Sequence, residues 1–111
     1  MITVIVPAYN EEKSLSKAID NIYEAQKEAG DILLDIVIVN DGSVDKTPEI
    51  ISRIESESSI VRSIHHETNK GLGVGVKEAI KLAKYSKFVL VSGDNDAVSY
   101  THLTLPTKRI V

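Results

Sequence analysis

The sequence contains no cysteine, which excludes disulfides, zinc–thiolate sites and thiol catalysis. Aromatic residues are also scarce, because tryptophan is absent and the chain has only four tyrosines and one phenylalanine. The core must therefore be built from valine, isoleucine, leucine and alanine. A chain without cysteine suits a reducing compartment, and a cytoplasmic protein is expected.

Long apolar runs and concentrated positive charge are missing as well. No run approaches the roughly 20 apolar residues that a membrane-spanning helix requires, so no membrane span is expected in this chain. The net charge is −3 and the lysines are scattered, which makes nucleic acid a poor candidate for a partner. With 42% hydrophobic and 26% charged residues, the composition is that of a globular domain or part of one.

Short apolar runs alternate with amphipathic segments along the chain. The runs are continuous rather than alternating in polarity, as in strands that are buried on both faces. Helical connections force parallel pairing, so the sequence predicts an α/β protein with a Rossmann-like open parallel sheet in βαβαβαβ order. The predicted strands are Ile2–Val6, Ile36–Val39, Ile60–His66 and Phe88–Val91. Three helices with one buried face each are predicted between these strands. The residues of the first face are Leu15, Ala18, Ile19, Ile22 and Tyr23, with Gln26 as the exception. Those of the second, after a Thr47 N-cap, are Ile50, Ile51 and Ile54, and those of the third are Leu72, Val76, Ala79, Ile80 and Ala83.

A polar stretch follows each predicted strand. In chain order these stretches are PAYNEE, NDGSVD, ETNKG and GDND. Because the carboxyl ends of parallel strands lie along one edge of the sheet, where open α/β folds bind ligands, the stretches are expected to converge there. This convergence is stronger evidence for a ligand site than any single motif.

The stretch GDND places Asp94 and Asp96 on a turn directly after a buried strand. Carboxylate oxygens suit Mg²⁺ or Mn²⁺, whose coordination is often completed by substrate phosphates. The alternative is that aspartate and asparagine simply favour turns. The motif alone is weak, but its position at the end of a strand favours a metal site.

Other candidate ligands follow the first two strands. Asp41 comes directly after a buried strand, where it can accept hydrogen bonds from a base or a ribose, whereas Asp45 is expected to cap the next helix. Tyr9 offers a flat surface for a base and Glu11 offers an acceptor. The alternatives are a packed loop aromatic and a first-turn acid that the helix dipole favours.

The glycine-rich stretch NKGLGVGVK matches neither common phosphate-binding motif. Its glycines are spaced G-x-G-x-G after the third strand, whereas the dinucleotide fingerprint follows the first strand, and Lys70 precedes the glycines, unlike the lysine of a Walker loop. Close packing of a helix on the sheet explains the glycines at least as well. The neighbouring His65 and His66 point to opposite faces of a strand, so structural roles are expected rather than a shared metal.

Taken together, VIVPAYNEE, IVNDGSVDKT, TNKGLGVGVKEAI and FVLVSGDND resemble the N-terminal half of family 2 glycosyltransferases of the GT-A fold. Within that family the chain is most similar to the polyprenyl-phosphate sugar transferases. The resemblance covers residues 1–97 and implies a partial GT-A fold that binds a UDP- or GDP-sugar. The full-length parent would transfer a hexose to a lipid phosphate or a glycan with inversion, in the cytoplasm or at the cytoplasmic face of a membrane.

Roles for particular residues follow from the same resemblance. Asp94 and Asp96 match the family's D-x-D motif, which holds the divalent cation that bridges the diphosphate, and Asn95 lies between them. A cation there stabilises the negative charge that develops on the leaving group. Asp41 would hydrogen-bond the base. The remaining nucleotide-sugar ligands would be Pro7, Ala8, Tyr9, Glu11 and Lys77.

The chain departs from the family pattern after the D-x-D motif. Residues 98–111 match nothing in the family and show no helical or strand period, so they are expected to be unrelated to the domain or artefactual. Val98 stands where the polyprenyl-phosphate branch commonly has glutamine. Because the family's acceptor site and general base lie further downstream, no catalytic base is assigned and the chain alone is expected to be inactive.

Two other functions are weighed against glycosyl transfer. A non-catalytic nucleotide-binding module would keep the fold and lose the transfer reaction. A nucleotidyltransferase of similar fold would need a glycine-rich, basic loop after the first strand to hold a triphosphate, and PAYNEE is neither.

Overall fold

The computed structural model describes residues 1–91, so the predicted cation ligands Asp94 and Asp96, their neighbour Asn95 and the predicted tail 98–111 lie outside the described residues. Within this range, strands and helices alternate in the predicted order. In chain order the elements are β1 (Ile2–Ala8), α1 (Leu15–Glu28), β2 (Leu34–Asp41), α2 (Thr47–Glu57), β3 (Val61–His66), α3 (Leu72–Leu82) and β4 (Phe88–Leu90). None of these helices has the length and apolar character needed to cross a membrane.

The strands form one parallel sheet with the order β3-β2-β1-β4, which confirms the predicted fold class. The register places Ala8 of β1 beside Asn40 of β2, and Val4 of β1 beside Val89 of β4. The strand order runs outward from β1 to β3 and then returns to place β4 on the other side of β1. In open sheets of this kind, the crevice for a ligand lies at the carboxyl ends of the two strands where the order reverses. Here those strands are β1 and β4.

Alternate residues of each strand enter two apolar layers on opposite faces of the sheet, as the pleat requires. The larger layer lies under α1 and α2, and β1 contributes Val4, Val6 and Ala8 to it. The smaller layer lies under α3 and includes Ile5, Val37, Val39 and Ala79. Every residue of β2 is buried, which accounts for the unbroken apolar run in its sequence.

Two residues differ from the simple helical pattern of buried and exposed positions. Gln26 interrupts the apolar face of α1 because its side-chain amide donates a 2.6 Å hydrogen bond to the carbonyl of Ile32, in the connection to β2. Leu72 was expected on the buried face of α3 but is 55% exposed, since it is the first residue of the helix and lies beyond the apolar layer. That expectation was wrong.

Thr47 also differs from its predicted role. The sequence suggests an N-cap, but Thr47 is already the first residue of α2, and Lys46 precedes it. The Thr47 hydroxyl instead accepts a 2.9 Å hydrogen bond from the backbone N–H of Glu11, in the loop after β1. The threonine therefore joins two loops rather than capping its own helix.

Gly75 lets α3 approach β2 closely. A Cβ atom at this position would lie 2.8 Å from Cγ1 of Val39, which is closer than real Cβ atoms come to their neighbours. Val39 is fully buried and β-branched, so its side chain has little freedom to move away. The prediction of close helix-to-sheet packing is thus confirmed for Gly75. At Gly73, by contrast, an added Cβ would meet no atom of the described residues within 4 Å.

Gly75→Ala and Gly73→Ala should therefore change stability in opposite directions. Overpacking of a core costs about 1–3 kcal/mol, and the helical preference of alanine returns about 1 kcal/mol, so Gly75→Ala should lower the free energy of unfolding. Gly73→Ala should raise it by about 0.5–1 kcal/mol, because only the helical preference acts there. Urea unfolding of both variants measures the difference, and two equal shifts would contradict this account.

Candidate functional site

The loops after β1, β2 and β3 meet at one edge of the sheet. Their convergence follows from the register, which places Ala8 beside Asn40 and Asn40 beside His65 at the carboxyl ends of the three strands. Asp41 and His66, one residue further along, are also paired. The polar stretches PAYNEE, NDGSVD and ETNKG therefore lie together, as predicted.

The loop after β1 is joined to the loop after β2 by hydrogen bonds that span more than thirty residues of sequence. Asn10 adopts a left-handed backbone conformation with φ 53°, which asparagine tolerates better than most residues. Its N–H donates to Oγ of Ser43 at 3.0 Å, and its side-chain oxygen accepts from the N–H of Val44 at 2.9 Å. Together with the Glu11–Thr47 bond, these contacts make the two loops one structural unit.

Asp45 connects the same loops and accepts from the first backbone N–H of α2, although the N-cap position itself is Lys46. Oδ1 of Asp45 accepts from the N–H of Thr47 at 2.9 Å and from its hydroxyl at 2.5 Å, while Oδ2 accepts from the N–H of Glu12 at 3.2 Å. Burial raises the pKa of Asp45, but these hydrogen bonds outweigh burial and hold the pKa below its ordinary value of 3.8. The carboxylate is therefore ionised at neutral pH and belongs to the scaffold of the edge.

Asp41 accepts three hydrogen bonds from this chain. Oδ1 accepts from Nδ1 of His66 at 2.9 Å and from the N–H of Lys70 at 2.8 Å, and Oδ2 accepts from the N–H of Gly71 at 3.0 Å. The other ring nitrogen of His66, Nε2, is bonded to Oε1 of Glu78 on α3. The Asp41–His66–Glu78 network therefore joins β2, β3 and α3, and it ties the turn before α3 to the end of β2.

Asp41 and His66 each shift the pKa of the other towards its charged form. Burial raises the pKa of Asp41, but the hydrogen bonds from His66, Lys70 and Gly71 together hold it below its ordinary value of 3.8. The hydrogen bonds to Asp41 and Glu78 raise the pKa of His66 above 6.5, although burial acts against them. Both ring nitrogens face carboxylates, which only accept when ionised. This arrangement favours the imidazolium form of His66, which can donate from both ring nitrogens.

Gly42 brings the loops after β2 and β3 into backbone contact. Its φ of +79° lies in the left-handed region, and a Cβ atom there would lie 2.5 Å from the backbone N of Asn69 and from the backbone carbonyl carbon of Thr68. No side chain can be accommodated without moving one of the two loops. The glycine of NDGSVD thus sets the distance between these loops.

The residues predicted to bind a nucleotide sugar are placed differently. Ala8 is buried and Pro7 and Glu11 are half-buried, while Tyr9 is 46% exposed at the carboxyl end of β1. Oε2 of Glu11 accepts a 3.1 Å hydrogen bond from the hydroxyl of Ser14. The structure brings these four residues together with the buried Asp41 at the edge.

Lys77 lies on α3 rather than in one of the loops of the edge. It is exposed and is the sixth residue of α3, so it lies roughly 8 Å along the helix axis from the first residue.

Residues that the sequence analysis did not assign to the site are also prominent. His66 was expected to be structural, and Glu78 was not singled out, yet both lie in the network around Asp41. Asn40 is 4% exposed, and its Oδ1 accepts from the N–H of Ser43 at 3.0 Å. Asn40 is a polar residue at the end of a fully buried strand, and this position could have identified it from the sequence. For Glu78 no local signal exists, because its partner lies on another element.

As expected, His65 points away from His66, towards Asn40.

Solved structures identify the class of protein to which this fold and edge belong. A mannosyltransferase from Pyrobaculum calidifontis, in complex with GDP-Man and Mn²⁺, superposes with a TM-score of 0.72 and 24% identity, over 94% of this chain and 32% of that chain. The S. aureus protein TarS, residues 1–349 in complex with UDP-GlcNAc, gives 0.70 and 27%, over 84% of this chain and 26% of its own. The described residues therefore have the fold of the GT-A glycosyltransferases.

The particular family is given by the sequence. The model of glycosyl transferase family 2 matches residues 3–105, and the chain belongs to that family. The match includes residues 98–105, which were expected to match nothing in the family, so that expectation was wrong for this segment. A dolichyl-phosphate beta-glucosyltransferase of Trichomonas vaginalis is 38% identical over 80 residues, which are 68% of this chain and 25% of that protein. A UDP-N-acetylglucosamine–dolichyl-phosphate N-acetylglucosaminyltransferase of Methanococcus voltae is 35% identical over 74% of this chain and 37% of its own length. The chain thus spans between a quarter and two fifths of these relatives.

Replacing Asp45 by alanine should loosen the joined loops. Removing the carboxylate that accepts the first N–H of α2 should cost about 1 kcal/mol. Hydrogen exchange at the Glu12 amide should become faster because its acceptor is removed. The lowered pKa means that the Asp45 carboxylate stabilises the fold above about pH 4 and stops doing so as the pH falls through its folded value.

The difference in stability between the wild type and Asp45→Ala should therefore shrink in acid. Asp20→Ala, at an exposed position of α1, is the matched control and should stay within about 0.5 kcal/mol of the wild type. Urea unfolding at pH 7 and pH 3.5 checks both points. Equal losses at the two pH values would refute the assignment.

Proposed function

We propose that the chain is the donor-binding part of an inverting glycosyltransferase and that it binds a UDP- or GDP-sugar at the carboxyl edge of its sheet. The observation that carries this proposal is the convergence of the loops after β1, β2 and β3 beside the β1–β4 crevice, in a chain that belongs to glycosyl transferase family 2. Crevices at this position are where open α/β sheets bind their ligands.

Proteins of similar fold and sequence support a nucleotide sugar as the ligand. TarS is in complex with UDP-GlcNAc, and the P. calidifontis mannosyltransferase is in complex with GDP-Man and Mn²⁺. The relatives named as dolichyl-phosphate transferases support a lipid phosphate as the acceptor of a longer parent protein, with a glycan as the alternative acceptor. On this proposal the parent works at the cytoplasmic face of a membrane.

The donor would meet Tyr9, Glu11 and Asp41 at the edge, with Pro7 and Ala8 supporting the loop between them. Tyr9 has the exposed ring that can stack on a base. A carboxylate offers about four acceptor positions, and Asp41 already accepts three hydrogen bonds within the chain. A base N–H would therefore take the remaining position on Oδ2. Lys77 would approach the donor from α3.

A divalent cation would be held by Asp94 and Asp96, with Asn95 between them. These residues follow Val91, whose N–H donates to the carbonyl of Ile5 at 2.9 Å and so extends β4 along β1 towards the crevice. Among residues 1–91 no group of three or more histidine, cysteine or acidic side chains could hold a metal ion. The paired carboxylates suit Mg²⁺ or Mn²⁺, and the bound ion would stabilise the charge of the diphosphate leaving group.

Binding without turnover is the expected behaviour of this chain alone. The chain spans 25% and 37% of the relatives named above, and no residue of it is assigned as a catalytic base. A non-catalytic module of the same fold is the alternative, and it would bind the same donors. The two functions differ only in whether a full-length parent transfers the sugar.

Donor binding should depend on a divalent cation and on the D-x-D carboxylates. UDP-GlcNAc or GDP-mannose should bind more tightly in Mn²⁺ or Mg²⁺ than in EDTA, because without a cation the two carboxylates repel the diphosphate. Asp96→Ala should remove most of this gain, for which several kcal/mol is a plausible magnitude, on the order of 10² in affinity or more. Calorimetric titration with and without the metal measures the effect.

Asp20→Ala removes a carboxylate of α1, far from the D-x-D motif in sequence, and should keep the full metal response. Equal binding in Mn²⁺ and EDTA would overturn the cation proposal. So would an Asp96→Ala variant that responds to the metal like the wild type.

Turnover separates the transferase from the binding module. A full-length parent should release UDP or GDP from the donor when dolichyl or another polyprenyl phosphate is supplied, whereas the 111-residue chain should bind donor and release none. Release of the nucleoside diphosphate is measured with a coupled assay. A parent that binds the donor tightly but transfers nothing to lipid phosphate or glycan would establish the module instead.

A further inference from the structure

His66 is a buried histidine whose two ring nitrogens are both bonded to carboxylates. Nδ1 lies 2.9 Å from Oδ1 of Asp41 at the end of β2, and Nε2 is bonded to Oε1 of Glu78 on α3. The His66 side chain is 3% exposed, that of Asp41 is 12% exposed, and that of Glu78 is 41% exposed. Close packing of β3 on α3 does not by itself require this arrangement, since an apolar residue would fill the same space.

The same network controls the backbone beside the candidate site. Asp41 uses its two oxygens to accept from the N–H groups of Lys70 and Gly71, so it fixes the turn that leads into α3. Gly42, the next residue, contacts the backbone of Thr68 and Asn69 in that turn. A movement of Asp41 would therefore move both the loop after β2 and the turn after β3.

The charge of this network depends on one proton. Two carboxylates face one imidazolium, so the loss of the His66 proton would leave Asp41 and Glu78 as two negative groups about a buried neutral ring. The other ionisable groups of nearby elements do not replace it. His65 on β3 bonds to Asn40 and Ser63, while Glu67, Lys70 and Lys77 are exposed and form no ion pair with a described residue.

We propose that His66 is a positioning residue for the nucleotide-sugar donor. As an imidazolium between Asp41 and Glu78, it holds Asp41 and the turn 68–71 in the arrangement that the donor meets, and donor affinity falls when His66 loses its proton. This inference rests on the proposed function, since it concerns the same edge of the sheet. It assigns to His66 and Glu78 an effect on the donor that is transmitted through Asp41.

The direction of the pH dependence follows from the shifted pKa values. Hydrogen bonds raise the pKa of His66 above 6.5, so its contribution is complete below pH 6.5 and is lost as the pH rises through the folded value. The lowered pKa of Asp41 means that its contribution is present above pH 3.8 and is lost in stronger acid. The network is therefore most stabilising between about pH 4 and 6.5 and weakens on the alkaline side.

Glu78→Gln is the decisive variant, with Glu67→Gln as its matched control. Both remove one negative charge from a residue near His66, but only Glu78 contacts the ring, and Glu67 is exposed. Glu78 is itself partly exposed, so its replacement by an isosteric amide should leave the chain folded. His66→Gln, which removes the titrating group, is the second variant.

Three measurements cover pH 5.5 to 8.5. Nitrogen NMR of the imidazole reports the protonation of His66, hydrogen exchange reports the protection of the Lys70 and Gly71 amides, and calorimetry with Mg²⁺ reports the affinity for UDP-GlcNAc and GDP-mannose. Nucleotide sugars are suitable probes because they lack the terminal phosphate whose second proton is lost near pH 6. Any pH dependence of binding then comes from the protein.

In the wild type and in Glu67→Gln, His66 should be doubly protonated at pH 6, and donor affinity and amide protection should fall together, by about fivefold or more, as it deprotonates. Glu78→Gln should move all three transitions to lower pH by about one unit, because the ring loses one of its two anionic partners. His66→Gln should bind more weakly at pH 6 and show no transition in binding.

A neutral His66 ring at pH 6 would overturn the inference, and so would a Glu78→Gln profile that matches Glu67→Gln. Donor binding that does not vary with pH while His66 titrates would overturn only this inference and leave the proposed function standing. No binding of either nucleotide sugar at any pH, with or without Mg²⁺, would overturn the proposed function and the donor role of His66 together.

Discussion

Two buried carboxylates on one strand hold both ends of α3 on the sheet. Asp35 and Asp41 point to the same face of β2, separated by the apolar Val37 and Val39. Asp41 accepts from the backbone N–H groups just before α3, and Asp35 accepts at 2.7 Å from the N–H of Lys84, just after it. The small apolar layer under this helix is thus supplemented at each end by charge-assisted hydrogen bonds, which are stronger than neutral ones.

Burying these charges is tolerable because each acid accepts at least three hydrogen bonds within the chain. Besides Lys84, Asp35 accepts from the hydroxyl of Thr3 at 3.1 Å and forms an ion pair with Arg62 at 2.8 Å. A buried charge that is paired and hydrogen-bonded avoids most of the cost of leaving water. Asp35 lies near the amino end of β2 and stabilises the fold alone, whereas Asp41 lies at its carboxyl end and also shapes the candidate site.

Much of the architecture could be predicted because it depends on local pattern. Continuous runs of β-branched residues, separated by segments with helical periodicity, predict parallel βαβ units and leave few alternative folds. The ends of the predicted strands then indicate the edge of the sheet where a ligand would bind. Leu72 and Thr47 show where the local pattern is insufficient. Leu72, the first residue of α3, is exposed because it lies beyond the apolar layer. The Thr47 hydroxyl accepts a hydrogen bond from Glu11, which is thirty-six residues away in sequence. The roles of Asp35 and Glu78 could not be predicted, because their partners are brought to them only by the tertiary fold.

The candidate site owes its order to bonds between loops rather than within them. Asn10, Glu11 and Glu12 donate their backbone N–H groups to side chains of the loop after β2 and of the first residue of α2. A ligand that meets these loops finds them already arranged, so little conformational entropy has to be lost on binding at this side of the crevice. Glu11 and Asp45 were predicted to have separate roles, yet both belong to one chain of hydrogen bonds: the Glu11 N–H donates to the Thr47 hydroxyl, which donates to Asp45.

The backbone contact of Gly42 with Thr68 and Asn69 has a consequence for how such a protein can diversify. Surface loops usually tolerate added residues at little thermodynamic cost, but here two loops touch with no side chain between them. An insertion in either one would push against the main chain of the other and displace Asp41. Variation at this part of the edge is therefore expected as changes of side chain rather than of loop length.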